Sequence, residues 1–309
     1  MIKVLLDILL CPLCANNKKL SLKKKDKNSN DGTLFCKNNH KFYFQNSIID
    51  FIDKDNNEQK IYNEIWKLQK SSVFKNNLKK LEYKFNEYAQ LPQNLEYYFK
   101  NKIVLDAGSG AGRFSYLIKK FSPKLLLSVD FSKEAIVQTQ RNLMPLNNNI
   151  IIIRADLNNL PFRKNKFDFI FSFGVIHHNL SPGKTFDKLV NLIKKNGLIS
   201  IYIYKKNSLS FLQNLIRPIT LKIDRKKIKS FCKSFGFASS KNVIINIKKI
   251  FIFLGKYDIL GIRNISYEGL TTTYLRSYSL SEIEMWFKKN YLKIISKTNI
   301  ISVTGKKIK

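Results

Sequence analysis

Apolar and polar positions along the chain change period several times. In residues 1–55 the apolar positions come in short runs, Lys41-Phe-Tyr-Phe and Ile48-Ile-Asp-Phe-Ile52, which predict short strands around a polar Lys/Asn-rich tip at Lys23–Gly32. In residues 56–100 the period becomes helical. Ile61, Tyr62, Ile65, Trp66 and Leu68 form one stripe, and Leu78, Leu81, Phe85 and Tyr88 form a second before Pro92 breaks the pattern. From Lys102 short continuous apolar runs alternate with amphipathic stretches. The runs Ile103–Ala107, Leu125–Asp130, Ile150–Ile153, Phe167–Ser172 and Leu198–Tyr204 predict five buried strands. Helices are expected over Gly112–Phe121, from the Ser132 cap to Met144, and over about Pro182–Lys194. Residues 205–278 interrupt the rhythm with a basic, largely helical pattern. A helix at Ser279–Lys289 and a hairpin from Tyr291–Ser296 and Ile300–Gly305 close the chain.

Strands alternating with helices predict an α/β protein with a doubly wound parallel sheet covered on both faces. The expected division is a small unit at 1–55, a helical connector at 56–100 and a main unit at 101–309, with a helical insert or lid at 205–278. At 309 residues and 44% hydrophobic composition, the chain can bury a sizeable core. No stretch approaches the roughly 18 apolar residues that a bilayer span needs. Met1–Leu10 is too short for a secretory signal. A cytoplasmic protein is expected.

The formal charge of +33 suggests nucleic acid or an anionic surface as a partner. Yet 47 of the 55 basic residues are Lys and only eight are Arg. Lys, Asn and Ile are all favoured by A/T-rich codons, and specific nucleic-acid contacts favour the forked Arg. Codon usage is therefore preferred to RNA binding as the reason for the charge.

Three of the four cysteines lie in the first 36 residues. Cys11-x2-Cys14 and Cys36-x3-His40 form two ligand pairs across a loop, a set that suits tetrahedral zinc. A closed set of four protein ligands is structural, and a unit with so little core needs such a staple. The alternative is a metal-free remnant. Cys232 stands alone in the insert and reads as a small buried residue.

The most informative run is Asp106-Ala-Gly-Ser-Gly-Ala-Gly112, between a strand and a helix. Glycines allow a sharp turn and close approach of a ligand, and the helix start offers unpaired N–H groups. A dinucleotide fingerprint would require G-x-G-x-x-G, but its last position here is Arg113. Asp130 ends the second strand, where a carboxylate can accept hydrogen bonds from ribose hydroxyls.

Together with Asp156 after the third strand, these features resemble the class I S-adenosylmethionine-dependent methyltransferases. Val104–Phe114 resembles their first motif, Val129–Ser132 the second, Ala155–Leu157 the adenine loop, and Phe167–His178 the fourth motif of the subgroup ending in His-His. Asn196-Gly-Leu-Ile resembles the turn into the fifth strand, with Asn in place of Pro and one Gly lost. The resemblance implies a seven-stranded Rossmann-like sheet with a small N-terminal zinc ribbon. It also implies S-adenosylmethionine as methyl donor. Asp106, Gly108, Gly110 and Gly112 would cradle the methionine part. Asp130 and Phe131 would meet the ribose and adenine, Asp156 and Leu157 the adenine, and Phe173 and Gly174 the sulfonium region. The N-terminal segment resembles the zinc domain of ribosomal-RNA guanine-N1 methyltransferases and the ribbons related to tRNA methyltransferase activators. The whole chain resembles bacterial fusions of such a ribbon to the His-His subgroup, which share a segment like Tyr274-Leu-Arg-Ser-Tyr278.

Methyl transfer from a sulfonium requires alignment and exclusion of water, and a base only where the acceptor must lose a proton. His177 and His178 are the candidates for that role, or for packing. Tyr274, Arg276 and Tyr278 either line a substrate pocket or anchor the lid. The expected acceptor is a small molecule. An RNA base is the alternative, favoured by the ribbon and the charge. A non-catalytic binding module is the third reading, and the intact ligand positions oppose it.

Overall fold

The computed structural model describes residues 2–14, 18–25, 31–68, 78–145, 149–206, 217–228 and 270–308. Most of the expected helical insert, and Cys232 with it, lies outside the described residues.

The centre of the molecule is a parallel sheet whose strands are buried along nearly their whole length: β5 (Ile103–Ala107), β6 (Leu125–Asp130), β7 (Ile150–Arg154) and β8 (Phe167–Phe173). With β9 (Ile193–Tyr202) and the terminal hairpin β10 (Leu292–Lys297) and β11 (Ser302–Lys307), they give the order β7-β6-β5-β8-β9-β11-β10. Only β11 runs antiparallel to its neighbours β9 and β10. The chain enters the parallel sheet at β5, winds outward through β6 to β7, then crosses to β8 on the other side. That reversal opens a crevice at the carboxyl end of β5, where ligands bind in folds of this type.

Helices cover both faces. Alternate side chains of β8 point to opposite faces. Phe169, Phe171 and Phe173 join a cluster with Phe85, Phe99 and Phe114. Ile170 joins the other cluster, with Phe186 and Ile283. The first cluster is built on α3 (Leu78–Ala89), α4 (Leu95–Phe99) and α5 (Arg113–Ile118). The second is built on α7 (Pro182–Leu192) and α8 (Leu280–Lys289). α8 opens with a capping box in which Ser279 and Glu282 each satisfy the other's backbone N–H.

The N-terminal segment extends this sheet. After α1 (Ile2–Ile8), strands β1 (Ser21–Lys24), β2 (Gly32–Phe35), β3 (Lys41–Gln45) and β4 (Ile48–Asp50) form an antiparallel meander. β4 then pairs in parallel with β7, Ile48 opposite Ile152 and Asp50 opposite Arg154, so the sheet has eleven strands among the described residues. The meander covers the edge of β7 that would otherwise expose unpaired backbone groups. Leu5, Ile8 and Phe44 share one core with Leu105 and Ile153.

The junction between α7 and β9 differs from the sequence expectation. α7 stops at Leu192, and β9 begins at Ile193 instead of Leu198. Ile193 pairs with Phe167, and the register then shifts before Leu198 meets Phe169. Asn196 takes a left-handed φ of 65° within that irregularity.

Candidate functional site

The crevice holds a cavity of about 440 Å³. β5 delivers Asp106 to its floor, and the following loop turns through left-handed conformations at Gly108 (φ 86°) and Gly110 (φ 55°). Glycine is required at both for reasons beyond φ. A Cβ on Gly108 would meet Val175 at 2.5 Å, and one on Gly110 would meet Trp66 at 2.4 Å. Gly112 caps α5 and packs against Thr139; it lies behind the cavity wall.

Asp106 and Asp130 are the two buried acids of the site. Asp106 accepts from the Ser115 hydroxyl at 2.7 Å, and Asp130 accepts from the backbone N–H groups of Gly110 and Ser132, each at 2.9 Å. Burial pushes Asp106 up to about 7, with the nearby charge of Asp130 adding to it. Burial likewise pushes Asp130 up to about 6, against the backbone hydrogen bonds that favour its ionised form. Asp130 thus ties the glycine loop to the start of α6 (Lys133–Leu143) while facing the cavity.

Phe131, Asp156, Leu157, Phe173 and Gly174 also line the cavity. Asp156 caps its own 3-10 turn through Asn158. The two histidines part company. His178 lines the cavity, and its Nδ1 donates to the Tyr274 carbonyl at 3.2 Å. His177 is fully buried outside the cavity lining, its ring 3.8 Å from that of Tyr204. The 274–278 segment runs alongside. Arg276 donates its N–H to the His177 carbonyl, and Tyr278 donates to Tyr204.

The helical stretch after residue 56, read from its pattern as a packing connector, supplies one wall of the cavity. From α2 (Asn57–Leu68) come Glu58, Tyr62, Ile65 and Trp66. Tyr62 sits 5.1 Å from the Phe131 ring and 5.8 Å from that of His178. Asn63 accepts from the Ser132 hydroxyl at 2.7 Å, and the Trp66 carbonyl accepts from Gln138. α3 adds Lys84 and Tyr88, the latter stacked on Tyr202 at 4.5 Å. Burial raises the Glu58 carboxyl above its usual range. The available signal was the pair of large amphipathic rings, Tyr62 and Trp66, in a stripe otherwise made of Ile and Leu.

Arg154, at the end of β7, is buried and pairs with Asp50 at 3.0 Å and with Asp55. Its Nε also donates to the Phe131 carbonyl at 3.2 Å. One side chain therefore joins the N-terminal meander, the start of α2 and the loop beneath the cavity.

In the meander, Cys11, Cys14, Cys36 and His40 place their ligand atoms within 4.8 Å of one another. The Cys14–Cys36 sulfurs are 3.7 Å apart, and His40 Nδ1 lies 3.4, 3.4 and 3.5 Å from the sulfurs of Cys11, Cys14 and Cys36. Tetrahedral zinc with ordinary bond lengths requires S···S of about 3.8 Å and S···N of about 3.5 Å. The four groups fit such an ion. Asn38 donates to the Cys14 sulfur at 3.3 Å, as an outer partner of a ligand does.

Residues 105–201 match the methyltransferase domain family. A tRNA U34 carboxymethyltransferase of Ruthia magnifica subsp. Calyptogena magnifica is 28% identical over 150 residues, covering 47% of this chain and 40% of that protein. An uncharacterised protein of Methanocaldococcus jannaschii is 30% identical over 147 residues, covering 47% of this chain and 62% of that one. The chain thus spans less than two thirds of either relative's length. Among solved structures, the complex between the Haloferax volcanii Trm112 methyltransferase activator and a methyltransferase aligns with a TM-score of 0.47 and 12% identity, covering 77% of this chain and 79% of that one. No helix among the described residues is long and apolar enough to cross a membrane.

Proposed function

We propose that this chain, which carries a methyltransferase domain at residues 105–201, uses S-adenosylmethionine to methylate RNA. The observation that carries the donor assignment is the convergence of Asp106, Gly108, Gly110, Asp130, Phe131 and Asp156 on one cavity. Its volume, about 440 Å³, suits a nucleoside-sized ligand.

The donor supplies a methyl group already activated on a sulfonium. The chain's part is to hold and shield it. The Gly108–Gly110 backbone would receive the amino-acid end, and the ionised Asp130 would accept from the ribose hydroxyls. Phe131 and Leu157 would flank the base, and Asp156 would accept from its amino group. Tyr62 and Trp66 close the cavity from α2 and exclude water. His178, which lines the cavity and donates to the Tyr274 carbonyl, is the histidine we assign to orienting an acceptor. His177, buried against Tyr204, supports that loop.

For the acceptor, the relative named as a tRNA U34 carboxymethyltransferase supports RNA. A small-molecule acceptor is the second reading, favoured by the aromatic enclosure of Tyr62, Tyr88, Phe173, Tyr202 and Tyr204 around the cavity. Zinc at Cys11, Cys14, Cys36 and His40 is structural in this account, since all four positions are protein ligands.

The test is transfer of labelled methyl from S-adenosylmethionine into fractionated cell extract. The RNA reading expects label in RNA, and RNA binding that weakens steeply with salt as counterions are released. Label confined to low-mass metabolites would overturn it in favour of the second reading.

A further inference from the structure

The meander has two unlike faces. Leu34, Phe42 and Phe44 point inward, buried in the core beneath α1, with Leu22 partly buried against the same core. The cross-strand register puts Ser21 opposite Phe35, Lys23 opposite Thr33, Phe35 opposite Lys41 and Thr33 opposite Tyr43. These six side chains therefore share the outer face of β1–β3. Two of them are large rings left in solvent: Tyr43 is 66% exposed and Phe35 is 39% exposed. They lie diagonally across β2 and β3, with Lys41 and Lys23 beside them, and none of the six is acidic.

A solvent-facing pair of rings on a sheet has a cost in water that a buried position would avoid. The surrounding charge indicates what covers it. Residues 18–41 hold eight lysines against two aspartates. Rings that accept stacked bases, flanked by cations that follow a phosphate backbone, are the chemistry by which sheets bind single-stranded nucleic acid. A protein partner of ordinary composition would find a core of two rings ringed by like charge, which suits it less well.

We propose that the outer face of β1–β3 binds single-stranded RNA, with Phe35 and Tyr43 stacking on successive bases and Lys23 and Lys41 contacting phosphates. The inference rests on the RNA reading above and adds where the chain holds its substrate. All four positions lie outside the core and outside the donor cavity.

The experiment uses the full chain and a fluorescent single-stranded oligouridylate. Binding is measured for the unaltered protein, for Phe35→Ala/Tyr43→Ala and for Lys23→Glu/Lys41→Glu, with calorimetry of S-adenosylhomocysteine as a check on folding. The ring variant is expected to bind about tenfold or more weakly at every salt concentration. The lysine variant is expected to lose affinity and show a shallower salt slope. Donor affinity should stay unchanged in both. If the unaltered protein binds RNA and the variants bind it equally well, the face proposal is overturned and the RNA reading stands. If the variants instead abolish self-association seen by sedimentation, the face is a protein interface and the proposal fails. If the unaltered protein binds no RNA, both fall.

Discussion

Trp66 stands over Gly110 so closely that a Cβ on the glycine would lie 2.4 Å from the indole. The helix outside the matched domain and the glycine loop inside it are therefore fitted to each other. Gly110→Ala should cost at least about 1–2 kcal/mol of stability, because its φ of 55° is left-handed and the methyl collides with Trp66. Trp66→Ala removes the collision, so the double variant should be more stable than the sum of the single losses predicts. Denaturant unfolding of the four proteins measures this. Simple additivity would mean that the two residues are not coupled.

The pH dependence follows from the two buried acids. Burial raises Asp106 to about 7 and Asp130 to about 6, above the value of 3.8 that both have in an unfolded chain. Each therefore binds its proton more tightly in the folded state. Their contribution is fully present below about pH 4 and is lost as pH rises toward 7. Melting temperature of the ligand-free protein should fall over that window, and Asp106→Asn should flatten the fall. Donor affinity should run the other way, weakening as pH drops through about 6, since only ionised Asp130 accepts from both ribose hydroxyls.

Metal should be bound in equimolar amount. Purified protein is expected to contain about one zinc per chain, and Cys36→Ser to lose most of it. Chelation should lower the melting temperature of the whole chain, because the meander shares its core and its sheet with the central strands. Metal analysis and calorimetry check this. A separate early transition that leaves the main one unmoved would count against a shared core.

Arg154 offers a third site of coupling. Removing one partner of a buried ion pair costs roughly 3–5 kcal/mol. Asp50 is 43% exposed, so its charge can be rehydrated and the expected loss for Arg154→Ala is smaller, about 1–3 kcal/mol. Because Arg154 also holds the Phe131 carbonyl, donor affinity should fall in the folded variant. Calorimetry at a pH where the variant remains folded separates the two effects.

Much of the central sheet was legible because its signals are local. Continuous apolar runs gave the parallel strands, and the cap at Ser132 marked a helix start that the structure contains. The pairing of Ile48 with Ile152 was not legible, because strand neighbours a hundred residues apart leave no mark in either segment. The wall made by Tyr62 and Trp66 was missed for a related reason. A helical stripe reports that one face is covered, but not that its aromatic members cover a ligand cavity. The start of β9 escaped because Lys194, Lys195 and Asn196 look like a helix end, while the irregular pairing to Phe167 decides the matter.

Calorimetric titration of S-adenosylmethionine into the unaltered protein and into Asp130→Asn tests the central claim most directly. The account predicts one saturable site in the unaltered chain. It predicts affinity reduced about tenfold or more in the variant, the loss expected when hydrogen bonds to a charged acceptor are removed. A folded chain that binds no donor, or a variant that binds it unchanged, would contradict the assignment of this cavity.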